Sequence, residues 1–183
     1  MALTFQETFS MDSNIPTRRQ FAANLALAAS GLAAVSALHA EARSMQQLPP
    51  TNPGDTRTAL HQEVELAASV ARIESALLDA KQFAAFTRLA ATVDAHEGGA
   101  FSLFGGLIVG RNIEIVPGER IVQAWRPTHW DPGVYSVAKF AFNPSGSGTL
   151  VVLDHTGFPA GDFDHLSAGW QEHYWEPLKK FFA

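Results

Sequence analysis

The sequence predicts an α+β domain: a curved antiparallel sheet of about six to seven strands, two short helices and one long C-terminal helix. Three observations carry this prediction. Leu60 to Leu66 alternates, with Leu60, Gln62, Val64 and Leu66 on one side and His61, Glu63 and Glu65 on the other, as a half-buried strand requires. After Ala91 the chain becomes short runs rich in Val, Ile, Phe and Trp, divided by turn residues. Past Gly157-Phe158-Pro159, the residues Leu166, Trp170, Tyr174, Pro177 and Phe181 recur near helical spacing.

Each element follows in order. Residues 43–56 hold Pro49, Pro50, Pro53 and Gly54 without apolar periodicity and read as an extended linker, so the folded unit spans 57–183. After the first strand, Ser69 caps a helix through Ile73, Leu77 and Leu78, and Asp79 opens a second short helix containing Phe83 and Phe86. The β runs are Ala100 to Phe104, Leu107 to Val116, Arg120 to Arg126, Val134 to Phe142 and Thr149 to Thr156. Gly98-Gly99, Gly105-Gly106, Pro117-Gly118, Asp131-Pro132-Gly133 and Ser145 to Gly148 separate them, so consecutive hairpins are the economical reading. Asp164 is placed to cap the last helix, and Pro177 inside it deletes a backbone donor and predicts a kink near His173.

Composition narrows the chemistry. The chain has 183 residues, 46% of them hydrophobic and 17% charged, which fits one packed domain rather than disorder. A net charge of -5 offers no attraction for nucleic acid or anionic lipid. There is no cysteine, which excludes disulfides, thiolate nucleophiles and cysteine-ligated metal.

The N-terminus reads as an address. Thr17-Arg18-Arg19-Gln20-Phe21 matches the twin-arginine signal, with Arg18, Arg19 and Phe21 in its key positions, and an Ala-rich apolar stretch from Leu25 to Leu38 follows. That stretch is too short and weakly apolar to span a bilayer. Ala40-Glu41-Ala42 offers a small-x-small cleavage site, so residues 1–42 form the expected signal peptide and the twin-arginine export machinery an expected partner. The mature protein is then periplasmic or secreted, with no membrane span after cleavage. Translation from Met45 would instead leave the same domain in the cytoplasm.

Ile121 to Arg126 (IVQAWR), Trp130 to Ser136 (WDPGVYS), Gly157-Phe158-Pro159 and Gly169 to Trp175 (GWQEHYW) follow one another in fixed order. This series resembles the C-terminal domain of Aha-type activators of the heat-shock protein 90 ATPase, within the START-like (SRPBCC, Bet v 1-like) helix-grip superfamily. The resemblance covers roughly 57–183 and is strongest from Arg120 onward. It implies an antiparallel sheet wrapped around a long terminal helix, often with a cavity between them.

Candidate site residues fall in the polar clusters and among the aromatics. Asp94-Ala95-His96-Glu97 is the densest ionisable group, and a His beside carboxylates can serve as a general base or metal ligand. Adjacent residues in extended backbone point to opposite sides, however, and no second His completes a metal site, so a solvated turn is the simpler reading. His155 ends a strand that borders the cavity mouth in the superfamily; a hydrogen-bonded core histidine is the simpler alternative. His96, Glu97 and His155 are therefore the catalytic candidates, without a nucleophile elbow, a phosphate loop or a paired-histidine helix to support them. Phe101, Phe104, Trp125, Phe140, Trp170 and Tyr174 are the expected lining for an apolar ligand, although aromatics also fill ordinary cores.

These readings lead to an exported domain that binds a small hydrophobic molecule between terminal helix and sheet, with no metal or cofactor expected. Two alternatives stand beside it. One is a co-chaperone module activating the heat-shock protein 90 ATPase, if translation begins at Met45. The other is an enzyme of the cyclase, dehydratase or hydrolase kind found in the superfamily, which rests on fold analogy.

Overall fold

The computed structural model describes Asn52 and residues 54–183. The signal motif with Arg18, Arg19 and Phe21, the cleavage position, Met45 and most of the linker lie outside the described residues. The elements are β1 (Ala59–Leu66), α1 (Val70–Leu78), α2 (Ala80–Thr87), β2 (Thr92–Val93), β3 (Ala100–Leu103), β4 (Ile108–Val116), β5 (Arg120–Pro127), β6 (Ser136–Ser145) and β7 (Gly148–Thr156). A terminal helix closes the chain in three parts: α3 (Phe163–Trp170), a π turn (Gln171–Trp175) and α4 (Glu176–Phe182). All strand pairs are antiparallel, in the order β1-β7-β6-β5-β4-β3-β2. The α+β helix-grip expectation therefore holds, with seven strands. The two-residue strand β2 was not expected, because Thr92 and Val93 are too few to display an alternation.

Local chemistry explains the helix boundaries. Asp79 ends α1 in extended geometry and starts α2, its carboxylate accepting the backbone N–H groups of Lys81 and Gln82 at 2.9 Å each. One residue thus turns a single apolar stretch into two helices. At the start of α3 the expectation of an Asp164 cap is corrected: Asp162 occupies the cap position, its carbonyl accepting from Leu166 N. The Asp162 side chain instead accepts from the Trp130 indole. Asp164 lies in the first turn, where its carboxylate favours the positive helix end, and it pairs with Arg57 at 3.0 Å.

Pro177 disturbs the terminal helix where the sequence indicates, but as a π turn. A proline ring in an α-helix collides with the carbonyl four residues earlier, here that of His173. Widening the turn avoids this: Glu176 N–H bonds to Gln171 O, five residues back.

The terminal helix is held to the sheet by polar side chains as well as by apolar packing. Gln62, the polar residue on the inward face of β1, accepts from the Trp175 indole at 2.6 Å and donates to Ser167 O at 3.1 Å. At the sheet centre the Trp170 indole N–H donates to His155 Nδ1 at 3.0 Å. An indole nitrogen only donates, so Nδ1 is the acceptor and the proton sits on Nε2. His155 Nε2 lies 2.6 Å from Ser136 Oγ, and Ser136 donates onward to Trp125 O at 3.0 Å. Every member of this chain is buried, and each has a partner.

Packing tightens around one glycine. A Cβ on Gly110 would sit 2.1 Å from Ala124 O and 2.3 Å from Phe101 Cζ, so the Phe101 ring lies over bare backbone on the neighbouring strand. Phe101 is thereby committed to the core. Among the described residues no helix is long and apolar enough to cross a membrane.

Burial pushes His155 down to about 3 from its ordinary value of 6.5. The unfolded chain therefore binds the extra proton first as pH falls, and stability declines from about pH 6.5 towards pH 3. From this residue the loss between pH 7 and pH 5 is about 2 kcal/mol. Urea titrations at both pH values should show a smaller decline in His155→Gln, which cannot titrate; an unchanged decline would refute the assignment.

Candidate functional site

A cavity of about 260 Å³ lies between the terminal helix and the sheet. Its helical wall is Leu166, Gly169, Trp170, His173 and Tyr174, a run at spacings of three, one, three and one that keeps to one helix face. The sheet supplies Ile108 from β4 and Trp125 and Pro127 from β5, and the β3–β4 turn supplies Phe104 and Leu107. Thr128, His129 and His165 complete the lining, and the exposure of Thr128 and His129 shows that the cavity opens to solvent there.

Two local features keep the space open. Nothing lies within 4 Å of where a Cβ would stand on Gly169, so its missing side chain is part of the cavity. Phe104, Gly105 and Gly106 are consecutive left-handed residues with φ of 53°, 67° and 100°. A left-handed aromatic residue costs about 1–3 kcal/mol and persists only when its surroundings enforce it. Here the turn sets the Phe104 ring 5.1 Å from Phe83 and 5.2 Å from Tyr174, forming the cavity's end wall. The stacked rings of Trp125 and Trp170, 5.4 Å apart, form its base.

The lining is mainly aromatic, with nitrogen at the mouth. His129, His165 and His173 are all held below the ordinary histidine value by burial, and His129 lowers His165 further while Asp162 opposes the shift in both. These imidazoles are neutral at pH 7. Burial raises the Tyr174 hydroxyl far above its usual range, so it remains a donor. The Trp125 indole N–H comes near that hydroxyl but falls short of hydrogen-bond geometry and is buried without a partner. No lysine or arginine lines the cavity, and among the described residues no three potential ligands stand close enough to share a metal ion.

Of the six aromatics proposed from sequence, Phe104, Trp125, Trp170 and Tyr174 line the cavity. Phe101 covers Gly110, and Phe140 packs behind Trp170 at 5.6 Å; neither reaches the cavity. His155 stands behind the base in the chain described above, and its protonation is the reverse of what a general base for Ser136 needs. Nε2 already carries a proton because Nδ1 is occupied by an indole donor. His96 pairs with Asp94 at 2.5 Å in an exposed turn, while Glu97 Oε1 accepts from Ile115 N at 3.3 Å. Neither residue lines the cavity. Buried Asn112 anchors that turn by donating to Asp94 O at 2.9 Å.

The residues that sequence reasoning missed are the non-aromatic ones, above all Gly169, His165 and His173. A signal for them existed, since Gly169 and His173 fall on the same helix face as Leu166, Trp170 and Tyr174. A search for apolar periodicity skips both.

Comparison with known proteins agrees with this architecture. The family described as Activator of Hsp90 ATPase homolog 1-like protein matches residues 67–183. An Activator of 90 kDa heat shock protein ATPase homolog from Dictyostelium discoideum is 33% identical over 135 residues, which is 73% of this chain and 35% of the relative. The Homo sapiens homolog 1 is 32% identical over 99 residues, covering 54% of this chain and 29% of the relative. The chain thus spans about a third of the length of these curated relatives. An HSP90 activator from Plasmodium falciparum superposes with a TM-score of 0.65 at 25% identity, covering 68% of this chain and 96% of that one. CalU16 from Micromonospora echinospora, at 22% identity and a TM-score of 0.59 over 68% of this chain and 76% of its own, shares the fold. On the extent of the family match, the chain belongs to the Activator of Hsp90 ATPase homolog 1-like family.

Proposed function

We propose that the domain binds a compact apolar molecule in the cavity beneath its terminal helix, and that it does so after export from the cytoplasm. The observation that carries the binding reading is the open space at Gly169 within an otherwise closely packed aromatic wall. An apolar cavity of about 150 Å³ suffices for one benzene ring. At about 260 Å³ the present one suits one or two fused rings rather than a long acyl chain. Export is supported by Arg18, Arg19 and Phe21 in the twin-arginine pattern and the weakly apolar stretch behind them. The export machinery would be a transient partner.

A second reading is favoured by the family match. Relatives carry the name activator of the 90 kDa heat-shock protein ATPase, so this domain would be a protein-binding module acting on that chaperone. The two readings differ in compartment and in measurable activity. The remaining alternative, an enzyme, has no base in place within the cavity beyond three neutral histidines without a serine or carboxylate lining the wall.

Substitutions at Gly169 test the binding reading with little risk to folding. Gly169→Ala should raise stability by about 0.5–1 kcal/mol through helix propensity, because its methyl meets open space. Gly169→Leu should fold as well and weaken binding of tetralin, followed by tryptophan fluorescence, at least about tenfold by filling the cavity. Equal binding by native and Leu variants would remove the proposal. Fractionation with N-terminal sequencing should find a periplasmic protein beginning at Arg43; a cytoplasmic product starting at Met45 would overturn export. In a coupled assay, the processed protein is expected to leave the chaperone ATPase rate unchanged, and a saturable stimulation would establish the second reading instead.

A further inference from the structure

We propose that the mouth of the cavity is an acid-operated release device, in which protonation of His129, His165 and His173 expels a neutral occupant. This rests on the small-molecule reading above and deepens it by naming how that site is regulated.

The device begins with placement. His129 comes from the loop after β5, while His165 and His173 come from the terminal helix, yet all three line one cavity. The His129 and His165 rings stand edge to face with centroids 6.1 Å apart, so the loop and the helix each bring an imidazole to the mouth. His173 stands about two turns along the helix, with the Phe104 ring 6.4 Å away. Elsewhere, exposed histidines are paired: His61 with Asp154 at 2.7 Å and His96 with Asp94 at 2.5 Å. Among the described residues no carboxylate hydrogen-bonds any of the three rings at the mouth. No lysine or arginine lines the cavity, so these rings set the charge of its wall.

The surrounding charges fix the sign of the effect. Burial holds all three imidazoles below 6.5. His129 and His173 lower His165 further, while Asp162 opposes the shift in His129 and His165, and Glu172 opposes it in His165 and His173. An apolar occupant excludes water from the rings and offers an imidazolium no hydrogen bond, so it lowers them again. The empty cavity therefore takes up protons more readily than the filled one. By reciprocity, each proton taken up weakens the occupant. Binding is intact at pH 7 and is lost as pH falls below about 6.5, where the rings begin to charge. Two charged rings 6.1 Å apart also repel, which pushes the loop and the helix apart at the mouth.

The test titrates tetralin at pH 7.5 and pH 5 into native protein, into His129→Gln with His165→Gln, and into the triple variant that adds His173→Gln. Native protein should bind about tenfold more weakly at pH 5 than at pH 7.5. That ratio should shrink to about threefold in the double variant and vanish in the triple one, whatever the affinity of each at pH 7.5. The triple variant retains His155 and its share of the acid decline in stability, so the difference between the two proteins reports the mouth alone. Proton magnetic resonance of the native imidazoles needs no variant to fold. Saturation with tetralin should move the titration midpoints of His129, His165 and His173 to lower pH and leave that of exposed, paired His61 in place. Equal affinity at both pH values, unmoved midpoints, or a ratio that persists in the triple variant would each overturn the release device while leaving the cavity reading standing. No binding of tetralin at pH 7.5 would overturn the cavity reading and this inference with it.

Discussion

The contact on which the rest of the structure depends is the hydrogen-bonded chain from the Trp170 indole through His155 and Ser136 to the carbonyl of Trp125. It crosses from the terminal helix through β7 and β6 to β5, so it links the helix to three adjacent strands at the centre of the sheet. Direction is imposed from one end, because an indole can only donate. That forces the histidine tautomer and hence the orientation of the serine hydroxyl. A neutral imidazole with both nitrogens occupied is a spacer of fixed length, and it sets how close Trp170 approaches Trp125. Their stacking, which forms the base of the cavity, follows from that spacing.

Three departures from regular geometry border the cavity, while the left-handed Arg88 and the register shift of β4 between Asn112 and Glu114 lie elsewhere. The π turn, the left-handed Phe104 and the helical Gly169 each break a local rule, and each contributes to the wall. The π turn has a cause in Pro177 and carries His173 and Tyr174 into the lining. Phe104 is held by rings from α2 and from the π turn, which is how its backbone cost is sustained. Such clustering is what a fold shows where local preference yields to a site. The same features argue against reading this space as a packing defect.

Family membership and the cavity address different levels. The match to activators of the heat-shock protein 90 ATPase covers α1, α2, the sheet from its second strand onward and all three parts of the terminal helix, and it specifies architecture. Those relatives extend well beyond the matched region, so their activity belongs to longer proteins. The cavity is a property of this chain's own side chains. A single β-carbon at position 169 would already reduce it.

What the sequence alone determined is the frame. Alternation in Leu60 to Leu66, Asp79 as the start of the second helix, the glycine-bounded hairpins and the break near His173 were all legible, because each depends on residues within a turn or two of one another. Of the six aromatic residues named from sequence, four border the cavity, and the aromatic content of the strands and the terminal helix is what pointed to them. The tertiary structure alone decided which inward aromatics border empty space and which are core. Phe101 is taken up by Gly110 on another strand, and Phe140 lies behind Trp170. It also decided that Asp162, rather than Asp164, starts the last helix, and that His155 carries its proton on the nitrogen facing Ser136. Cavities and tautomers are set by contacts between residues far apart in the chain, and periodicity records only which face a side chain occupies.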